Sequence, residues 1–130
     1  MNKLHPLKIN SRKLNWHNNV PHSLDHDDRF FQANVIDETS EVFIEANNLI
    51  ERWRIKEPNN FKIAELGFVF GLNFLITAKY WHQHSQNNEK WLDYISIDCF
   101  PLNIEDFKKA IANYSQLKEF SDEFIEHFPV

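Results

Sequence analysis

The apolar positions of the chain change period several times, and the changes divide it into elements. Val42, Ile44, Leu49 and Trp53 sit in β-prone stretches on either side of Asn47-Asn48. Asn tolerates the positive φ of tight turns, so residues 41–54 read as a β-hairpin. Pro58-Asn59-Asn60 breaks the chain, and Phe61 to Leu66 reads as a short strand. After Gly67 to Gly71, Leu72, Leu75, Ile76 and Tyr80 follow helical spacing, which predicts a helix to about His84. Ser85-Gln86-Asn87-Asn88 is a loop, and Trp91 to Asp98 reads as a second strand closed by Pro101. Asn103, with Asp106 three residues on, caps a further helix whose Phe107, Ile111 and Tyr114 share a face. A last helix carries Leu117, Phe120 and Phe124. The span 61–98 is therefore a βαβ unit, which requires parallel strands, and C-terminal helices occupy 103–128.

Composition sharpens this picture at three points. The 130 residues suit one domain, and 42% hydrophobic content is enough for a core. The 12 Phe and 4 Trp make that core aromatic. No run approaches the roughly 18 apolar residues of a membrane span, and Met1 to Asn10 has no signal-peptide core. One cysteine, Cys99, excludes an internal disulfide, and it reads as a buried small residue in a cytoplasmic protein. The formal charge is −5, yet Met1 to Leu24 carries Lys3, Lys8, Arg12 and Lys13 and no acid. Residues 1–26 thus read as a solvated basic arm ahead of a domain at 27–130. His22, Asp25, His26 and Asp27 lie close in sequence, but no helical pattern gathers them, so no metal site is expected. Trp16 and Trp53 read as packing anchors, and His82 and His84 as solvent-facing.

The candidate chemistry lies where the glycines are. Average usage predicts about nine glycines in a chain of this length. There are 2, Gly67 and Gly71, both in the turn between the first βαβ strand and its helix. Such a turn lets a ligand approach the backbone, and the helix beyond offers unpaired N–H groups. An acid at the end of the next strand can hold ribose hydroxyls. Asp98 stands there, 27 residues after Gly71. A strand, turn and helix packed for structure alone would share these features.

The residues around the turn carry a more specific signal. Glu65 to Phe74 reads E-L-G-F-V-F-G-L-N-F. It resembles the E-x-G-F-G-T-G-L-N-F motif of the methyltransferase (N-terminal) domain family of the bifunctional tRNA wobble-uridine modification protein MnmC. Asp27-Asp28-Arg29-Phe30-Phe31 is similar to that family's D-D-x-Y-F. Glu38-Thr39, Val42-Phe43, Asn47, Leu49 and Arg52 match E-T-x-x-V-F followed by N-x-L-x-x-R. Ser96-Ile97-Asp98-Cys99-Phe100-Pro101-Leu102 resembles S-F-E-K-F-P-L. The resemblance covers roughly residues 15–129. It implies an α/β fold, here an N-terminal hairpin and the first βαβ half of a class I, Rossmann-like methyltransferase sheet. It also implies methyl transfer from S-adenosylmethionine to the amine of 5-aminomethyl-2-thiouridine in tRNA. Glu65, Gly67, Phe68, Gly71, Asn73 and Asp98 would bind the cofactor.

Three departures from the family pattern set further expectations. The middle glycine of the motif is Val69 and the next residue is Phe70, so backbone strain and side-chain bulk should weaken cofactor binding. Cys99 replaces a lysine, and Glu45-Ala46 replaces a Gly-Gly. The family's catalytic D-x-F-x-P segment has no counterpart, so no catalytic residue is assigned. Without a further strand beside it, strand 61–66 would be an open edge suited to self-association or to a complementary fragment. The alternative function is then an inactive family remnant, or half of a split protein, that binds tRNA or another protein.

Overall fold

The computed structural model describes residues 10–23, 35–55, 60–85 and 89–128. The Asp27 to Phe31 motif, His26, Pro58-Asn59 and Gln86 to Asn88 lie outside the described residues. Among the described residues, four strands and five α-helices follow in the order β1 (Leu14–His17), β2 (Val20–Ser23), α1 (Val35–Thr39), α2 (Leu49–Arg54), β3 (Asn60–Leu66), α3 (Leu72–His84), β4 (Trp91–Ile97), α4 (Ile104–Ile111) and α5 (Lys118–Glu126). A π-helical stretch, Ser40–Glu45, continues α1, and a 3₁₀ turn, Ser115–Leu117, leads into α5.

The βαβ reading holds. β3 and β4 pair in parallel, with Ile63 opposite Tyr94, Glu65 opposite Ser96 and Leu66 opposite Ile97. The 13-residue α3 makes the crossover that a parallel pair needs. Side chains alternate across the strands, so Ile63 and Glu65 face the helices while Leu66, Ile95 and Ile97 are exposed. This is a Rossmann-like strand–helix–strand arrangement with one covered face. The expected cap also forms: Asp106 N–H donates to Asn103 Oδ1 at 2.8 Å.

The hairpin expected at 41–54 is not a hairpin. The span is helical, as the π-helical stretch and α2. Its buried residues are Ser40, Ile44, Leu49 and Trp53, four or five positions apart, which is a helix face. A strand would put Val42 and Ile44 on one side, whereas Val42 is 65% exposed and Ile44 fully buried. The span also holds Glu41, Glu45, Ala46, Glu51 and Arg52, good helix formers that weigh against strand. Asn48 does take positive φ, at 51°, but the corner joins two helices. Lys90 ties this unit to the sheet: its ammonium donates to the carbonyls of Trp53 (2.7 Å) and Ile55 at the end of α2.

The described part of the N-terminal stretch is structured. Residues 14–23 form the antiparallel hairpin β1–β2, turning at Asn18 and Asn19, with φ of 51° and 62°. Two consecutive positive-φ residues are what a two-residue type I′ hairpin turn requires, and Asn accepts them. The hairpin docks on the domain. Pro21 is buried, Asn113 Nδ2 donates to Asn19 O at 3.0 Å, and the Lys109 ammonium lies 4.2 Å from the Trp16 ring centroid. Trp53 is a buried anchor whose ring meets those of Phe61 and Trp81 edge-on. Cys99 is exposed, contrary to expectation, because it lies in the turn after β4. His84 stacks on Tyr80 and His82 meets the edge of Phe120.

The helical reading of 41–54 has a direct stability test. Ile44→Ala should cost about 2–5 kcal/mol, and Val42→Ala less than about 0.5 kcal/mol, in urea unfolding. Equal costs would indicate that the two side chains share a face, as in a strand.

Candidate functional site

The C-terminal ends of β3 and β4, the 67–71 turn and the start of α3 meet at one place. Leaving β3, Gly67 N–H donates to Ile97 O at 2.7 Å, which extends the parallel pairing by one residue. Gly67 then takes a φ of 87°, which suits a residue without Cβ. Gly71 N–H closes the turn onto Phe68 O at 2.8 Å, and Gly71, at φ 68°, is the N-cap of α3. A Cβ there would lie 2.7 Å from the Phe68 ring, so Gly71 is required for space and for backbone alike.

Val69 has a φ of 50°. The strain expected of a β-branched residue in place of glycine is therefore present, of order 1–3 kcal/mol. The Phe70 ring is buried in the core, so it forms one wall of the adjoining cavity rather than filling it. The cavity is about 220 Å³, below the roughly 300–1,000 Å³ of common ligand pockets. Gly67, Phe68, Val69 and Asn73 line it with Val35 and Thr39 of α1. Aromatic packing fixes its far side, where Phe124 of α5 meets Phe68 and Phe74 at 5.7 and 5.3 Å between centroids.

Glu65 and Asn73 come together as the motif suggests. Asn73 Nδ2 donates to Glu65 Oε1 at 2.7 Å. The other oxygen, Oε2, is buried and has no partner among the described residues. Ser96 Oγ is likewise buried without a partner among the described residues, and β4 presents the Tyr94 hydroxyl on the same sheet face, close enough to the Glu65 carboxylate to interact with it. Burial above all, and then the Glu65 carboxylate, pushes the Tyr94 phenol upward, so it stays protonated. A buried carboxylate with a spare lone pair suits a cationic donor such as an ammonium. Tyr94 and Ser96 were not singled out from the sequence, although the two-residue period through Asp98 puts them beside Glu65.

Asp98 sits where the sequence puts it, but its carboxylate is already engaged. Oδ2 accepts from Val69 N–H at 2.8 Å, and Oδ1 accepts from Phe100 N–H at 2.8 Å. Arg12 Nη2 approaches Oδ1 at 3.4 Å. Arg12 and Asp98 side chains are only 10% and 8% exposed. The basic arm therefore supplies a buried ion pair to the site, a role that nothing in the local sequence around Arg12 signals. All six predicted residues lie around the turn, and Glu65 Oε2 is the oxygen among them that is buried with no hydrogen-bond partner among the described residues. Among the described residues no cluster of metal-ligating side chains occurs, and no helix is long and apolar enough to cross a membrane.

Val69→Gly should raise stability by about 1 kcal/mol, because relief of positive-φ strain exceeds the entropic cost of glycine. Gly71→Ala should lower it by more than about 1 kcal/mol. Urea denaturation of both variants checks the pair, and an unstable Val69→Gly would show that Val69 is not strained.

No protein-family model matches the chain. It is 40% identical over 128 residues to a Legionella pneumophila (strain Lens) protein, covering 95% of this chain and 19% of the relative. A Leptospira interrogans protein (strain Fiocruz L1-130) is 42% identical over 119 residues, covering 88% of the chain and 18% of the relative. One from Methylobacillus flagellatus is 34% identical over 116 residues, with the same shares. Each of the three is named tRNA 5-methylaminomethyl-2-thiouridine biosynthesis bifunctional protein MnmC. The chain thus spans about a fifth of the length of these relatives. Identity of 34–42% across about nine-tenths of its own length makes the chain homologous to a segment of these proteins named MnmC.

Proposed function

We propose that this chain is the S-adenosylmethionine-binding segment of a tRNA methyltransferase that forms 5-methylaminomethyl-2-thiouridine at the wobble position. The observation that carries the proposal is Glu65. A buried carboxylate held by Asn73, with one oxygen unpartnered among the described residues, lies beside a glycine turn at a strand's C-terminal end. That oxygen fits the ammonium of the cofactor's methionyl group. Gly67 and Gly71 allow the backbone to approach the ligand, and Phe68 would flank it. Asp98 would meet the ribose hydroxyls once one of its present donors moves away. When bound, the cofactor supplies an electrophilic methyl on its sulfonium. The chain's part is to hold that group in line with an incoming neutral amine. No residue of this chain is assigned a proton-transfer role. The substrate, tRNA, comes from the family relation, as does a cytoplasmic location.

A second reading is favoured by the engaged Asp98 and the strained Val69. In it the chain is a catalytically inactive family member that binds tRNA or protein, and strand β3 is its interaction edge. Among the described residues β3 pairs only with β4, and Leu66 at its end is 88% exposed. Self-association, or pairing with a complementary fragment, through residues 61–66 follows from such an edge. Light scattering at rising concentration tests the self-association, and a monomer throughout removes it.

Calorimetric titration of the full chain with S-adenosylmethionine separates the two readings. Binding that Glu65→Gln weakens at least about tenfold, equivalent to ~1.4 kcal/mol, is the expected result. Absence of binding by the folded chain would overturn the first reading in favour of the second.

A further inference from the structure

Arg12 is the one charged contact at the site that the cofactor reading leaves unexplained. Residues 10–13 run along the end of β4, ahead of hairpin β1–β2. Arg12 N–H donates to Pro101 O at 3.1 Å, and the Arg12 guanidinium meets Asp98 Oδ1 at 3.4 Å. The hairpin has its own, separate anchorage on α4 and the turn that follows it, through Lys109 under Trp16 and Asn113 to Asn19. The lead-in can therefore release without unpairing β1 from β2. A carboxylate accepts about four hydrogen bonds in all, and Asp98 already receives three donors. Two of these are backbone N–H groups fixed by the turns at Val69 and Phe100. Arg12 is the movable one, and its contact is the longest of the three.

We infer that Arg12 is an autoinhibitory latch, competing with a ligand's vicinal diol for Asp98. The inference rests on the reading of the site as one for a nucleoside-bearing cofactor. Opening moves the guanidinium from a site where it is 10% exposed out to solvent, so the ion pair is exchanged for hydration of the guanidinium and diol hydrogen bonds to Asp98. The latch acts as a population tax: a latch closed about four-fifths of the time weakens apparent affinity about fivefold. Its release would couple ligand binding to exposure of the basic N-terminal segment that holds Arg12 and Lys13.

The test compares the full-length parent chain with Arg12→Ala and Arg12→Gln. Each is titrated calorimetrically with S-adenosylhomocysteine, and folding is verified by circular dichroism. Both variants should bind about fivefold tighter than the parent, and adding Asp98→Asn should abolish the gain. In the parent, saturating ligand should speed hydrogen exchange at the Arg12 amide, which donates to Pro101 O. Equal or weaker binding by folded variants, while the parent binds, overturns the latch and leaves the cofactor reading standing. An Arg12 amide whose exchange is unchanged by bound ligand also overturns the latch. Failure of parent and folded variants alike to bind overturns both.

Discussion

Three stretches of chain that are distant in sequence are brought to one carboxylate. Asp98 accepts the N–H of Val69 from the glycine turn and that of Phe100 from the turn after β4, and it pairs with Arg12 from the N-terminal lead-in. Each contact depends on the parallel register of β3 and β4, which sets the end of β4 beside the residue that follows β3. With Leu66 opposite Ile97, Gly67 N–H reaches Ile97 O, and the turn is carried over Asp98. A shift of one residue in either strand would turn its own acid, Glu65 or Asp98, to the exposed face of the sheet. The core serves that register: α3 crosses from one strand to the other, and Ile63, Leu75 and Ile76 are buried on the covered face.

The two acids of the site stand in opposite states. Glu65 is buried, with Oε1 held by Asn73 and Oε2 without a hydrogen-bond partner among the described residues. Asp98 has donors on both oxygens. An unpaired buried acceptor costs free energy that a ligand can recover, whereas a satisfied one must first lose a partner. One end of the site thus keeps a buried carboxylate oxygen without a partner among the described residues, and at the other end the N-terminal segment contributes Arg12 to an occupied carboxylate. Val69 belongs to the occupied end. Its positive-φ backbone presents the N–H that bonds Asp98, so the strained residue and the satisfied carboxylate belong to one turn.

Much of the fold was legible because local rules and tertiary packing agree. The two-residue period of Phe61 to Leu66 and Trp91 to Ile97, the helical spacing from Leu72, and the Asn103–Asp106 cap all appear as expected. Residues 41–54 were misread because Val42, Ile44 and Leu49 are β-prone, and a short apolar run suits either period. Burial of Ile44, Leu49 and Trp53 decides for helix. Residues 14–23 were read through their charge, whereas the Asn18-Asn19 pair carried the structural signal and formed the turn.

By itself the sequence determined the βαβ unit, the glycine turn, the family relation and the places of Glu65, Asn73 and Asp98. Each of these is a local pattern: a period, a residue that tolerates positive φ, or a motif at a strand's end. Only the tertiary structure decided what those residues are free to do. Asp98 and Arg12 are 86 positions apart, and no period or motif relates them. Whether a carboxylate is open or occupied depends on which remote donors the packed chain brings within hydrogen-bond reach. The freedom of Glu65 likewise follows from what Tyr94, Ser96 and Asn73 do around it in space.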